Sequence, residues 1–287
     1  MHVTKLSLNE PLPLTCSRKG TCCHGNKVLL NPWELARLAH EKEVSSKEFR
    51  SRFCVDGGIL LHFNGTKDHR GKAACSQYIP NFGCSVHAGR PLACRLFPLG
   101  RQIQHETAEY IFEGTTFPCL NGCSEVLDLP KITVADYLEG QETADFELAQ
   151  DAYLEIMQNI ADIAFTLLLD SGLAESGDTK TLIAWKKLGQ ESAEQLAKQL
   201  GDDWLNSLML PALDEYIENC ESFANAHNEL LQMKAQEEFG DLQSFKEVHL
   251  AAVKMMNLAL YLALALGADA LGLSEHWIDV AKSHGAS

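Results

Sequence analysis

Cysteine is the residue type whose number and spacing in this sequence could do chemistry. Nine of the ten cysteines lie within residues 1–130, and eight of them form three groups at residues 16–23, 75–94 and 119–123. Thiolates are soft ligands that suit zinc and iron–sulfur clusters. Turns rich in Gly and Pro surround these groups and allow several sulfur atoms to converge. The predicted metal ligands are Cys16, Cys22, Cys23, Cys75, Cys84, Cys94, Cys119 and Cys123.

The spacing of the cysteines leaves the identity of the metal open. It matches neither the paired C-x2–4-C pattern of zinc fingers nor the ferredoxin patterns. Eight cysteines could supply two four-thiolate sites, or one site with spare ligands. Redox disulfides are disfavoured because the sequence contains no C-x-x-C motif. The two ungrouped cysteines, Cys54 and Cys220, are expected to pack as small apolar residues in helical contexts.

The order of the cysteine motifs resembles a known family. Cys16 is followed by the Cys22-Cys23 pair, then by C-x8-C from Cys75 to Cys84, then by R-P-x2-C-R-x-F-P over residues 90–98. This arrangement resembles the YkgJ-type cysteine-cluster family, described as a zinc- or iron-chelating domain, over about residues 14–125. The resemblance implies metal binding.

The same family includes flagellin lysine N-methylases, whose cysteines are associated with an iron–sulfur cluster. The resemblance therefore favours an iron–sulfur (4Fe–4S) cofactor over zinc. It leaves two alternatives: a protein-modifying transferase that resembles a lysine N-methylase and uses S-adenosylmethionine, and a zinc-binding or metal-handling protein. Whether the protein is an enzyme stays open.

One departure from the family pattern affects the ligand set. The family often has a further cysteine between the first one and the pair, and residues 17–21 contain none. The resemblance implies that this ligand comes from Cys119, Cys123 or a histidine, with His24 and His87 the nearest histidines.

Two arginines flank the last cysteine of the second group. A four-thiolate centre carries net negative charge, so Arg90 and Arg95 are predicted to stabilise the cofactor as nearby cations. The alternative is that they pair with surface carboxylates.

Short helices and loops must position these cysteines. Asn31-Pro32 followed by Glu34 predicts the start of one helix, and Ser45 followed by Glu48 predicts another up to Phe53. Short strands are expected at residues 58–63 and 110–112, and the rest of this segment has the Gly and Pro content of loops.

Residues 131–287 have the apolar periodicity of helices. Helices are predicted over residues 144–170, 179–188, 192–200, 202–239 with a break near Pro211, 242–266 and 274–283. The predicted fold class is mainly α: an irregular cysteine-rich metal-binding domain at residues 1–130 and an acidic bundle of five to seven helices at residues 131–287.

Charge separates the same two segments. Residues 1–130 contain 15 basic and 12 acidic side chains, and residues 131–287 contain 9 basic and 27 acidic ones. The acidic segment argues against nucleic acid as a partner and fits a basic or lysine-rich protein. No membrane association is expected, because the apolar stretch at residues 255–268 is too short to span a bilayer and reads as a core helix. The absence of a signal-peptide pattern predicts a cytoplasmic protein.

Several common active sites are missing from the sequence. It contains no P-loop, no Gly-rich dinucleotide fingerprint, no H-E-x-x-H and no G-x-S-x-G. The cysteine groups are therefore the strongest indication of function.

Overall fold

The structure is a computed structural model that describes residues 4–12, 20, 23–104, 107–112 and 130–287, except for the side chain of Gln104. Within the first segment, α1 spans Pro32–Glu41, α2 spans Ser46–Phe53 and α3 spans Leu92–Leu96. The two predicted helix starts are confirmed. The Asn31 side chain accepts a hydrogen bond from the Glu34 N–H at 2.9 Å, and the Ser45 hydroxyl accepts one from the Glu48 N–H at 3.2 Å.

Short antiparallel strands connect these helices. They are β1 (Thr4–Leu6), β2 (Cys54–Val55), β3 (Leu60–Leu61), β4 (Tyr78–Ile79), β5 (Gly83–Cys84), β6 (Leu99–Gln104) and β7 (Thr107–Phe112). β1, β7 and β6 form one sheet in that order, and β2–β3 and β4–β5 form two-stranded pairs. The strands expected at residues 58–63 and 110–112 correspond to β3 and β7.

Residues 131–287 contain seven α-helices, within the predicted range of five to seven. They are α4 (Val134–Gly140), α5 (Ala144–Leu169), α6 (Lys180–Gly189), α7 (Ala193–Met209), α8 (Cys220–Phe239), α9 (Phe245–Ala265) and α10 (Ala270–Ser283). The helix predicted to end at Leu200 continues as α7, but Gly201 interrupts it with a φ of 74°. The break expected near Pro211 separates α7 from α8. The mainly α fold class is confirmed.

The two longest helices of the bundle, α5 and α9, pack against each other. Both are long and apolar enough to cross a membrane by length and composition alone. In α9, 72% of the most apolar window is buried inside the protein. The core helix predicted around residues 255–268 is thus confirmed in its burial.

The two segments share one continuous hydrophobic core. Hydrogen bonds also join them: the Trp33 indole N–H donates to the Ile217 carbonyl at 3.0 Å, and the Tyr261 hydroxyl donates to the Asp56 carbonyl at 2.8 Å. The division into two domains at residue 130 stays a prediction. What the described residues show is that the cysteine segment is held against the bundle by buried contacts.

Candidate metal centre

Four of the eight predicted ligands line a single cavity. Cys23, Cys75, Cys84 and Cys94 all face a cavity of about 520 Å³, here called the cysteine cavity. The other four predicted ligands, Cys16, Cys22, Cys119 and Cys123, lie outside the described residues. The structure thus brings together one cysteine of the first group and all three of the second.

A hairpin and a backbone hydrogen bond position three of these cysteines. Tyr78 pairs with Cys84 across the β4–β5 hairpin, which turns the chain back between Cys75 and Cys84. The Cys75 N–H donates to the Cys23 carbonyl at 2.8 Å. This hydrogen bond makes Cys23 and Cys75, which are 52 positions apart in the sequence, adjacent in space. It also satisfies two backbone groups that would otherwise be unpaired.

Cys94 reaches the cavity from the short helix α3. Pro91 precedes the first turn of α3, and the Leu92 N–H donates to the Glu34 carboxylate at 2.7 Å. The same carboxylate accepts the Asn31 N–H at 3.0 Å, so one buried side chain caps both α1 and α3. These two hydrogen bonds link α3, which carries Cys94, to α1.

The surroundings of Cys75 combine burial with hydrogen bonding. The pKa of the Cys75 thiol is raised, mainly by burial and in part by the nearby Cys84 thiol. The Gln77 N–H, which donates to the Cys75 Sγ at 3.5 Å, opposes this rise. Gln77 is itself held by Ser85, whose hydroxyl donates to the Gln77 side-chain oxygen at 3.3 Å. Lys42 donates to that Ser85 hydroxyl at 2.9 Å, so hydrogen bonds through Ser85 link a cation to Gln77.

The charge of the cysteine cavity is the reverse of the charge of the whole chain. Its described lining includes the cations Lys27 and Arg90 and no acidic side chain, although the chain has a net charge of −15. Fixed cations around thiolates offset the negative charge that a thiolate-ligated metal retains. The cavity is thus electrostatically suited to a thiolate centre.

The four cysteines do not close on a single point. Among the described residues, no three His, Cys, Asp or Glu side chains are placed so that they could hold one metal ion. The donor chemistry fits zinc or an iron–sulfur cluster, and the described residues supply only part of a ligand set. Completion of the set requires either cysteines outside the described residues or movement of the side chains.

The two predicted cofactor-binding arginines differ in position. Arg90 lines the cysteine cavity and donates to the His87 carbonyl at 2.8 Å and to the Gln141 side-chain oxygen at 2.9 Å. Arg95 is 2% exposed and donates to three backbone carbonyls, those of Ala88, Arg90 and Gln141. Both roles as cofactor-binding cations stay predictions.

The alternative prediction, that these arginines pair with surface carboxylates, describes Arg95 only in part. The Arg95 guanidinium lies 3.4 Å from the Glu142 carboxylate, which is largely exposed. Among the described residues Arg90 forms no ion pair. For Arg95 the backbone carbonyls are the closer partners.

Of the two histidines named as alternative ligands, only His87 lines the cysteine cavity. His87 lines the cavity, with its Nδ1 3.1 Å from the Arg90 guanidinium. The His24 Nδ1 lies 3.3 Å from the Gly20 carbonyl, and its ring packs edge-on against Tyr78. Neither placement tests ligation, which stays a prediction for both.

The ungrouped cysteines are placed apart from the cavity lining. Cys54 follows α2 and begins β2, and burial raises the pKa of its thiol to about 12. Cys220 is the first residue of α8 and is buried, which raises the pKa of its thiol. Cys220 has the buried, helical placement predicted for it. The helical context expected for Cys54 is wrong, because Cys54 begins β2 and is only partly buried.

Sequence reasoning did not identify Lys27, Lys42, Gln77 or Glu34 as residues around the site. Gln77 lies two residues after Cys75, but no spacing rule distinguishes it from other loop residues. Glu34 was noted only as part of a helix start, and its second contact, to Leu92, joins positions 58 residues apart. Only the tertiary structure brings these side chains to the cysteines.

Residues 15–111 match the CxxCxxCC family, described as "Putative zinc- or iron-chelating domain". The match covers about a third of the chain and includes all four cysteines of the cavity. It confirms the family resemblance, and the description of the family suggests zinc or iron chelation for this segment. No curated protein and no solved structure matches the chain.

Proposed function

We propose, taking residues 15–111 as a CxxCxxCC domain, that the protein is a cytoplasmic metalloprotein with one or two thiolate-ligated centres. The preferred cofactor is an iron–sulfur cluster of the 4Fe–4S type. The observation that carries the proposal is that Cys23, Cys75, Cys84 and Cys94, which come from separate stretches of the chain, line one cavity. Thiolates from converging loops are the ligands that hold such clusters.

We propose that the remaining ligands come from the other four cysteines of the three groups. Cys22 is adjacent in sequence to Cys23, and Cys16 lies six residues before Cys22. Cys119 and Cys123 form a further pair. Iron is preferred to zinc because the resemblance reaches proteins whose cysteines are associated with an iron–sulfur cluster. Four thiolates around a divalent ion carry a net charge of about −2, which Lys27 and Arg90 offset.

The metal can be identified from protein purified without oxygen. We expect a brown sample with a charge-transfer absorption band and with iron and acid-labile sulfide in equal amounts. A colourless sample with stoichiometric zinc would overturn the preference for iron and leave metal binding intact. A sample with neither metal would overturn the proposal.

Two cysteine substitutions test the ligand set. Cys94→Ser removes a thiol of the cavity and should lose the metal, since a hydroxyl is a poor ligand for either metal at neutral pH. Cys220→Ser is the matched control, because Cys220 is buried at the start of α8 and does not line the cavity. Retention of full metal content by Cys94→Ser would contradict the assignment.

A protein-modifying transferase is the second candidate, and the size of the cavity favours it. The volume of about 520 Å³ lies in the range of about 300–1,000 Å³ typical of small-molecule sites. The cysteine cavity is therefore large enough for a small-molecule substrate.

The substrate would be a lysine-rich protein, which the acidic residues 131–287 attract. Incubation with labelled S-adenosylmethionine and a lysine-rich protein should transfer label, and Cys94→Ser should abolish the transfer. If the metal-loaded protein transfers no label to flagellin-like or lysate proteins, this candidate is wrong.

A metal-handling role makes a different prediction about lability. A carrier should release metal to a mild chelator without unfolding. A structural or cluster centre should instead release it together with loss of structure in the N-terminal segment, because binding free energy is then folding free energy. Chelator titration followed by circular dichroism distinguishes the two.

A further inference from the structure

A second cavity lies between the cysteine segment and the helical bundle. Its volume is about 230 Å³, and it is called the interface cavity below. One side is formed by residues around α1, α3 and β6, and the other by α5 and the end of α9. Most of the wall is aliphatic: Leu29, Leu92, Leu96, Leu99, Ala265 and Leu266.

Polar side chains with unused hydrogen-bond donors line the same cavity. The Asn31 side-chain oxygen accepts the Glu34 N–H at 2.9 Å, which identifies the other amide atom as Nδ2. Among the described residues this Nδ2 has no hydrogen-bond partner, although Asn31 is only 3% exposed. This group can therefore donate to a molecule bound in the cavity.

Gln150 on α5 shows the same arrangement. Its side-chain oxygen accepts from the Arg101 guanidinium at 3.0 Å, so its Nε2 carries the donors, and the described residues give this Nε2 no partner. The buried Nε of Arg101 is likewise without a partner in the described part of the chain. Three donors are unused around the cavity, whereas the Glu34 oxygens each accept a backbone N–H.

The charges at this end of the cavity disfavour an anion. The Arg101 guanidinium forms two hydrogen bonds of 2.7 Å to Asp151, so these charges cancel. Glu34 is the remaining ionisable group of the lining, and burial raises its pKa to about 7. An anion would face a carboxylate that is partly ionised at neutral pH, and a cation would face the three donors.

We infer that the interface cavity binds a small neutral molecule with a carbonyl oxygen on a short aliphatic body, such as an amide. The carbonyl oxygen accepts from the amides of Asn31 and Gln150, and the aliphatic body packs against the leucines of α3 and β6. A site of this kind has an apolar wall and a few convergent polar groups, which is typical of small-molecule sites. None of the cysteines that line the cysteine cavity lines this one.

Isovaleramide is the probe for this site, tested on the full-length, metal-loaded protein. Titration should produce saturable shifts of leucine methyl resonances in NMR spectra. Isovalerate and isopentylamine, which have nearly the same shape with a negative or a positive head, should bind at least tenfold more weakly. The absence of saturable shifts, or equal affinity for all three compounds, would overturn the inference.

Gln150→Glu replaces the donor amide with a carboxylate of the same shape and should weaken isovaleramide binding at least tenfold, the effect of losing one good hydrogen bond. Gln232→Glu, the same change at an exposed position of α8, is the control and should leave the affinity unchanged. Ala265→Leu fills the cavity from α9 and should abolish binding. If Gln150→Glu and Ala265→Leu both fold and both bind isovaleramide as the unmodified protein does, the site is wrong.

Metal content measured on the same samples keeps this test separate from the proposed function. Gln150→Glu should retain its metal, because Gln150 does not line the cysteine cavity. Isovaleramide binding is compared only among samples with full metal content, because the helix that carries Cys94 also forms part of the cavity wall. Failure of one proposal therefore leaves the other to be judged on its own measurement.

Discussion

His227 should make the stability of the bundle depend on pH in a defined direction. It is fully buried between α5 and α7. Its Nε2 lies 3.0 Å from the Ser207 carbonyl, which can only accept, so Nε2 carries the proton. Its Nδ1 therefore accepts from the Tyr153 hydroxyl at 2.9 Å. A second proton on the ring would have to displace that hydrogen bond.

The magnitude follows from the difference between the folded and unfolded pKa values. Burial lowers the pKa of His227 from 6.5 to about 4. Between these values the unfolded chain binds the proton and the folded protein does not. The stabilisation is therefore complete above about pH 6.5 and is lost as the pH falls towards 4. From pH 8 to pH 5.5 the loss attributable to His227 is about 1.5 kcal/mol.

The test compares His227→Gln with the unmodified protein by urea unfolding at pH 8 and pH 5.5. Glutamine keeps a polar side chain but does not titrate. At pH 8 the substitution should cost about 2 kcal/mol through lost packing and a lost hydrogen bond. At pH 5.5 that cost should shrink by about 1.5 kcal/mol, because only the unmodified protein is weakened by acid.

The control for this comparison is His276→Gln on α10, where the side chain is exposed. Its effect on the free energy of unfolding should be small at both pH values. A cost of His227→Gln that is the same at pH 8 and pH 5.5 would refute the assignment of a buried neutral imidazole. So would a cost that grows as the pH falls.

Three further substitutions have expected outcomes in the free energy of unfolding. Burial raises the pKa of Glu34 to about 7, so the folded protein gains stability as the pH falls from 8 and this carboxyl is protonated. The cost of Glu34→Gln, measured by urea unfolding, should therefore be about 2 kcal/mol larger at pH 5.5 than at pH 8. Arg95→Met leaves three carbonyls without their donor and should cost about 3 kcal/mol in thermal unfolding. Tyr261→Phe removes the hydrogen bond to Asp56 and should cost about 1 kcal/mol by urea unfolding, whereas Tyr216→Phe should be nearly neutral.

Local features of the fold could be predicted from the sequence. The start of α1 depends on Asn31, Pro32 and Glu34, which lie within four residues, and the structure has the predicted hydrogen bonds between them. The helices of the bundle follow from apolar residues repeated every three or four positions, and the repeat forces one face inwards. Both kinds of signal act over a few turns of chain.

The sequence could predict which residue types form the site but not how they are arranged. The spacing of Cys75 and Cys84 suggested a shared ligand set, and the β4–β5 hairpin accounts for their proximity. The approach of Cys23 depends on one backbone hydrogen bond to Cys75. Contacts between residues so far apart in the sequence are set by the packing of the whole core, which no local pattern encodes.

Arg95 connects the metal-binding segment to the bundle. Its guanidinium donates to the carbonyls of Ala88 and Arg90, which lie in the loop between Cys84 and Cys94, and to the carbonyl of Gln141 at the end of α4. It also lies 3.9 Å from the centre of the Phe146 ring on α5. The family match ends at residue 111, but two of these partners lie beyond it. Because a buried guanidinium needs its acceptors, the loop between Cys84 and Cys94 takes its position partly from the bundle. The geometry of the centre is therefore a property of both segments, even though every predicted ligand lies in the first.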